Sequence, residues 1–251
     1  MKAKVMKCQL EYSEMPSTYP KDEVDIYRVV KGEDGKYYVR LELMGFPYYF
    51  TITKDKVVTH TKEALETFKE IEPKDCSPWS IFTEIVYEII YILGEKRNEY
   101  YAIYEKLFEE AIAGEPIEGI EVVQLRRKAY QLFSDATVLY FVVKKLSKEL
   151  EEQVEDDAKF SLDRAELLIT RLSDLYNLYY TKVQYDLNEV IKKLTSVSIL
   201  FLPITAVASV YAVAFPSIWQ SLLNISALIF LSPVIIVTAI MAVYLRRKGW
   251  L

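Results

Sequence analysis

One histidine, two cysteines and seven glycines in 251 residues exclude several kinds of site before any motif is sought. His60 is the only imidazole, so a multi-histidine metal centre is out and a histidine-based triad finds no support; a lone histidine at a strand end is usually a surface residue. Cys8 and Cys76 have no C-x-x-C spacing, and a cytoplasmic setting would keep both reduced. No glycine loop of the phosphate-binding type and no nucleophile elbow occurs. Paired carboxylates are abundant but fall on solvated helix faces, so an enzyme is not expected. Basic residues number 31 against 36 acidic ones, which disfavours nucleic acid. The opening MKAKVMKCQLEYS lacks the apolar core of a secretory signal.

Charge is missing from one long stretch as well. From Ser196 to Leu251 the only charged side chains are Arg246, Arg247 and Lys248. Residues 196–215 and 222–245 would each reach about 30 Å or more as helices, enough for a hydrocarbon core of about 30 Å. The short uncharged link PSIWQS makes them antiparallel neighbours in a two-helix transmembrane hairpin. Lys192 and Lys193 flank the first span and Arg246, Arg247 and Lys248 the second, so the positive-inside bias puts both termini in the cytoplasm. The remaining 195 residues carry 28 basic and 36 acidic groups and form an acidic cytoplasmic domain long enough for a real core.

That domain opens with 24 residues of no clear period. VDIYRVV and KYYVRLELM then alternate apolar and polar around Glu33-Asp34-Gly35, a hairpin signal. Gly45-Phe46-Pro47 reads as the next turn, YYFTIT and KVVTH as further strands, and TKEALETFKEI as a short amphipathic helix. The sequence thus predicts a small α+β subdomain over residues 1–76. Ser77 and Pro78 open a helix that Gly114 closes, and a second helix is expected from Glu118 to about Gln153, completing an antiparallel pair over residues 77–160. Glu149, Glu151, Glu152, Glu155, Asp156 and Asp157 cluster after it. This is a solvated helix end, or a divalent-cation sensor in which Glu155, Asp156 and Asp157 are the candidate ligands.

A third helix is expected to begin near Ser161 and to meet no glycine or proline until Pro203, so a stalk over residues 161–195 continues into the first span. Leu168, Leu172, Leu175, Tyr179, Val183, Leu187, Val190 and Leu194 form a coiled-coil-like seam. A second stripe runs through Asn188, Ile191, Thr195, Ser198, Leu202, Thr205, Ser209 and Ala212. Several copies around an axis would turn it into polar rings separated by apolar constrictions, the requirements of a gated ion path. Ordinary packing between transmembrane helices favours the same small and hydroxylic residues.

The order of these parts, with Asn188-Glu189-Val190, Lys193-Leu194-Thr195, Phe201-Leu202-Pro203-Ile204-Thr205, Tyr211 and the basic tail from Arg246 to Leu251, resembles the CorA family of magnesium transport proteins. The match is most specific over residues 187–251. The resemblance implies a homopentamer in the cell membrane, embedded in lipid, with stalk and first span around the pore and Asn188, Ile191, Leu194, Leu202 and Thr205 at family pore positions. It implies Mg²⁺ as transported ion and as a regulator held by the acidic domain, with no organic cofactor. The family's Gly-Met-Asn after a tyrosine is replaced here by Ala212-Val213-Ala214 after Tyr211, and the loop has only Ser217 and Gln220 as polar groups. Mg²⁺ sheds water reluctantly and is best met by acceptors around its hydration shell, which alanine lacks. Two functions therefore stay open. One is a passive, potential-driven pathway for Mg²⁺, with Co²⁺ and Ni²⁺ as further candidates and with altered selectivity or weak conduction. The other is a non-conducting membrane-anchored subunit that assembles with itself or with other CorA-family subunits.

Overall fold

The structure is a computed structural model and describes residues 10–69, 71–214 and 225–249. The loop 216–221, with Ser217 and Gln220, and the last two residues of the tail lie outside the described residues. The chain divides into two compact units, Met1–Tyr179 and Tyr180–Leu251.

The first unit begins with a five-stranded sheet in the order β1-β5-β4-β3-β2, built from β1 (Glu11–Tyr12), β2 (Val29–Lys31), β3 (Tyr37–Leu43), β4 (Phe46–Ile52) and β5 (Val57–Thr59). Four strands form an antiparallel meander, and β1 adds to its edge in parallel with β5. Alternation works as expected on β3: Val39, Leu41 and Leu43 are buried while Tyr38, Arg40 and Glu42 are not. The turn at Gly35, with φ 77°, joins β2 to β3 where Asp-Gly predicts it.

Four expectations need correcting in this region. Half of VDIYRVV is helix: α1 (Lys21–Tyr27) has Asp22 and Glu23 in its first turn, where carboxylates favour a helix, and it stops where Arg28 adopts a φ of 63°. The second turn is Met44-Gly45, both at positive φ, and Phe46 already pairs with Leu43. Two central residues of positive φ make the tight hairpin whose twist matches the strands. The helix in TKEALETFKEI is a single turn, α2 (Ala64–Thr67). Cys76 is disulfide-bonded, where two reduced thiols were expected.

α3 (Pro78–Ala113) follows the sequence signals closely. The Ser77 hydroxyl accepts from the Ser80 N–H at 3.2 Å, Pro78 needs no partner at the first position, and Gly114 closes the helix in the left-handed region at φ 79°. α4 (Gly119–Lys145) ends eight residues before the expected boundary. The Leu146–Leu150 turn contains no glycine or proline; it forms because Leu146 and Leu150 both bury their side chains in the core. α5 (Glu152–Ala214) starts nine residues before Ser161 and continues without a break. Its portion in the first unit buries Val154, Ala158, Ser161, Ala165, Leu168, Leu172 and Leu175, a strict alternation of fours and threes. Arg171 stacks on Tyr101 of α3, whereas Arg126 of α4 stacks on Tyr176 and a methyl group at Gly119 would strike the Tyr179 hydroxyl. α5 is thus parallel to α3 and antiparallel to α4. Sheet and helices share one core, in which Phe50 meets both Phe68 and Phe82.

The second unit holds the remainder of α5 and α6 (Ile225–Arg247), an apolar helix ending in Arg246 and Arg247.

Candidate ion pathway

From Glu152 to Val207, α5 contains the one stretch among the described residues that is long and apolar enough to cross a membrane, and almost none of its apolar window is buried within the chain. Buried core helices of soluble proteins pass the same test with their apolar window covered. Here Phe201 is 61% exposed and Leu202 66%.

All eight residues of the candidate stripe fall on this helix. Asn188, Ile191, Thr195, Ser198, Leu202, Thr205 and Ser209 of the stripe are exposed in the single chain, as is Leu194, the further pore position the resemblance implies. From Asn188 to Ser209 the stripe covers about 30 Å of helix and drifts by roughly 20° per seven residues, so it stays on one face of a helix wound gently around a common axis. The hydroxyls are oriented. Ser198 Oγ donates to the Leu194 carbonyl at 3.0 Å, Thr205 Oγ1 to the Phe201 and Leu202 carbonyls at 3.0 Å, and Ser209 Oγ to the Thr205 carbonyl at 2.8 Å. With its proton spent on the backbone, each oxygen directs its lone pairs away from the helix axis. Three acceptors along one exposed face can meet a cation or its hydration water without becoming donors. Pro203 sits inside the helix without ending it.

Tyr211, Ala212, Val213 and Ala214 complete the last turn of α5. Val213 is 84% exposed. Ser196, at the start of the apolar stretch, is buried and donates to the Lys192 carbonyl at 2.8 Å.

The flanking cations are solvent-facing. Lys192, Lys193, Arg246, Arg247 and Lys248 are exposed. Lys193 pairs with Glu189 at 2.8 Å, and this contact lowers the Glu189 carboxyl below its ordinary value.

In the first unit, Glu155, Asp156 and Asp157 lie near the start of α5; Glu155 is in its first turn, where the positive end of the helix dipole favours a carboxylate, and Asp156 and Asp157 follow it. Asp156 is exposed and its two neighbours are half-exposed. Among the described residues no group of three or more acidic, histidine or cysteine side chains is arranged to hold a metal ion within one chain. Two other members of the cluster serve structure: Tyr37 Oη donates to Glu149 at 2.9 Å, and Lys74 pairs with Glu151 at 3.1 Å. His60 is pinned by Thr51 at 2.8 Å and the Ser13 carbonyl at 2.9 Å.

One functional-looking group escaped the sequence reading. Asp135 is fully buried on α4, where Oδ1 accepts from Gln131 Nε2 at 2.9 Å and Oδ2 from the Gly45 N–H at 3.3 Å. Burial pushes its carboxyl up to about 6, against the lowering effect of those bonds. The available signal was an aspartate lodged between Leu132, Ala136 and Leu139 on an apolar helix face.

A CorA-like Mg²⁺ transporter family model matches residues 39–247. The chain belongs to the CorA family. A cobalt/magnesium transport protein CorA of Thermotoga maritima is 24% identical over 173 residues, covering 61% of this chain and 49% of the relative, so the match spans about half the relative's length. Among solved structures, the complete CorA magnesium transporter of Methanocaldococcus jannaschii superposes with a TM-score of 0.59 at 14% identity, covering 89% of this chain and 80% of that one. The full-length CmaX protein gives 0.58 at 15% identity, covering 92% and 83%. At such identities the likeness establishes the CorA fold, mostly helical with an N-terminal sheet.

Proposed function

We propose that the protein is a membrane pathway for divalent cations, Mg²⁺ first among them, formed by a ring of identical chains, five in the family's manner, around the exposed stripe of α5. The observation that carries the reading is a change along one helix. The alternating seam of α5 is buried as far as Leu175, then Leu187, Val190 and Leu194 stand 56%, 61% and 66% exposed, directly before a stretch long and apolar enough to cross a bilayer. Apolar residues at coiled-coil spacing in water need partners, and further copies of the same helix supply them. The hairpin of α5 and α6 then places both termini in the cytoplasm, with the five flanking cations at that surface. Inside the ring, Thr195, Ser198, Thr205 and Ser209 offer oxygens, while Ile191, Leu194 and Leu202 form the narrowings that dewet and close. No coupling machinery is required, since a +2 ion gains about 4.6 kcal/mol per 100 mV, negative inside.

Ala212-Val213-Ala214 favours a second reading, a non-conducting subunit, because that mouth offers no side-chain acceptor to a hydrated ion. A Thr205→Leu plug separates the two. It abolishes Mg²⁺ uptake into liposomes if the stripe conducts, while Ile204→Leu on the neighbouring face leaves uptake intact. Equal uptake by both variants would remove the stripe from the pathway.

A further inference from the structure

The two helices of the second unit each carry one covered face. On α5 it runs through Ser196, Ile199, Leu200, Pro203 and Val207, and on α6 through Thr238, Met241, Ala242 and Leu245, at the spacing of threes and fours that a helix contact requires. Among the described residues of this unit only Ser196 and Leu245 are buried outright. In the hairpin proposed above these faces meet, with Ser196 beside Leu245 at the cytoplasmic end.

The cations gather around that point. At about 100° of turn per residue, Lys192 and Lys193 project within about 60° of Ser196, whereas Ile191, Ser198, Leu202, Thr205 and Ser209 point about 120–180° away from it. The two lysines therefore line the seam with α6 and stand clear of the candidate ion path. Arg246, Arg247 and Lys248 follow Leu245 directly, with Arg246 and Lys248 to either side of its direction. The nearest carboxylate along either helix is Glu189, itself exposed and paired with Lys193 at 2.8 Å. Among the described residues, Lys192, Arg246, Arg247 and Lys248 form no ion pair within the chain. Immediately on the membrane side, Val197, Phe201 and Tyr244 are exposed.

We propose that this end of the α5–α6 seam binds an anionic phospholipid. Lys192 and Lys193 take its phosphate oxygens from one helix, Arg246 and Lys248 take them from the other, and the acyl chains lie along Val197, Phe201 and Tyr244. Clusters of Lys and Arg at the cytoplasmic end of a transmembrane helix attract anionic headgroups, and basic recesses between such helices hold them. The ammonium groups act as point charges, while the Arg246 fork matches two phosphate oxygens at once. A soluble anion would use the charges and leave the apolar side chains beneath them uncovered, which favours the lipid. The inference rests on the membrane hairpin proposed above and does not depend on whether the stripe conducts.

The test uses the full chain in detergent, titrated with dioleoyl phosphatidylglycerol or dioleoyl phosphatidylcholine, with bound lipid per chain read by native mass spectrometry. Phosphatidylglycerol is held about tenfold more tightly or better, and the preference shrinks as NaCl rises from about 50 mM to about 500 mM. Lys192→Gln combined with Arg246→Gln abolishes the preference. The charge-keeping pair Lys192→Arg with Arg246→Lys retains it, as does Lys106→Gln with Lys128→Gln on the first unit. Equal retention of the two lipids by the wild type overturns the proposal, and so does a preference that survives in the Lys192→Gln, Arg246→Gln protein. Displacement of phosphatidylglycerol by an equal concentration of inorganic phosphate would make the ligand a free anion and overturns it too. A chain that stays in solution without detergent removes hairpin and site together. A phosphatidylglycerol preference in a protein that passes no Mg²⁺ into liposomes upholds the site and counts against the pathway alone.

Discussion

Replacing Asp135 by asparagine tests how the sheet is fastened to α4. The carboxyl is fully buried, its value is raised from 3.8 to about 6 by burial, and its two oxygens take the Gln131 amide and the Gly45 N–H. A folded-state value above the unfolded one means that the folded protein holds the proton more tightly. The stabilisation is therefore complete below about pH 4, is lost as pH rises towards 6, and is gone above it. A shift of about two units corresponds to about 3 kcal/mol in full, of which about 2 kcal/mol falls between pH 4.5 and pH 7.5. For a chain of this size that is roughly 4–8 °C in Tm. The assay is thermal unfolding of the full-length protein in detergent, followed by intrinsic fluorescence, for wild type and Asp135→Asn across that range. Other titrating groups cancel in the difference between the two proteins. The wild type loses its extra stability between pH 4.5 and 6.5, and the asparagine variant shows no such step. Parallel curves, or a wild type that gains stability over the variant as pH rises, would refute the buried, strained carboxylate.

Four further substitutions probe the fold at separate points. Leu168→Ala, in the fully buried part of the α5 seam, costs about 2–5 kcal/mol in thermal or denaturant unfolding. Leu187→Ala, 56% exposed in the single chain, leaves the first unit's unfolding unchanged and lowers the dissociation temperature of the assembly. Ser77→Ala removes the hydroxyl that caps α3 and costs about 1 kcal/mol by the same unfolding measurement. Gly45→Ala places a methyl at φ 80° and 3.2 Å from the Gln131 side chain, for a loss of roughly 1–2 kcal/mol; an unchanged Tm would show that the β3–β4 turn relaxes freely.

How much was legible depended on whether a boundary was marked by local chemistry or by burial. α3 could be read to the residue because Ser77, Pro78 and Gly114 act through their own backbone preferences. The α4–α5 boundary could not, since Leu146-Ser147-Lys148-Glu149-Leu150 carries no breaking residue and turns only because both leucines find the core. Residues 24–27 were read as strand because VDIYRVV shows a period of two, whereas they are the end of α1, in which a single residue, Val24, is buried. The stripe on α5 was visible as a period in the sequence, and the structure adds the direction of its hydroxyls. The acidic cluster was visible as a run of carboxylates in the sequence, and the structure places it at the Leu146–Leu150 turn and the first turns of α5. Asp135 was missed because its meaning depends on a tertiary contact, the Gly45 N–H that the β3–β4 turn brings to it.

The most direct test of the proposed function is Mg²⁺ uptake, with Co²⁺ and Ni²⁺ alongside, into dye-loaded liposomes containing the purified protein at an imposed negative-inside potential. Uptake that rises with the potential and stops in the Thr205→Leu variant is the expected result. No flux of any of the three ions, from protein shown to be folded and assembled as a ring, would contradict it and leave the non-conducting subunit.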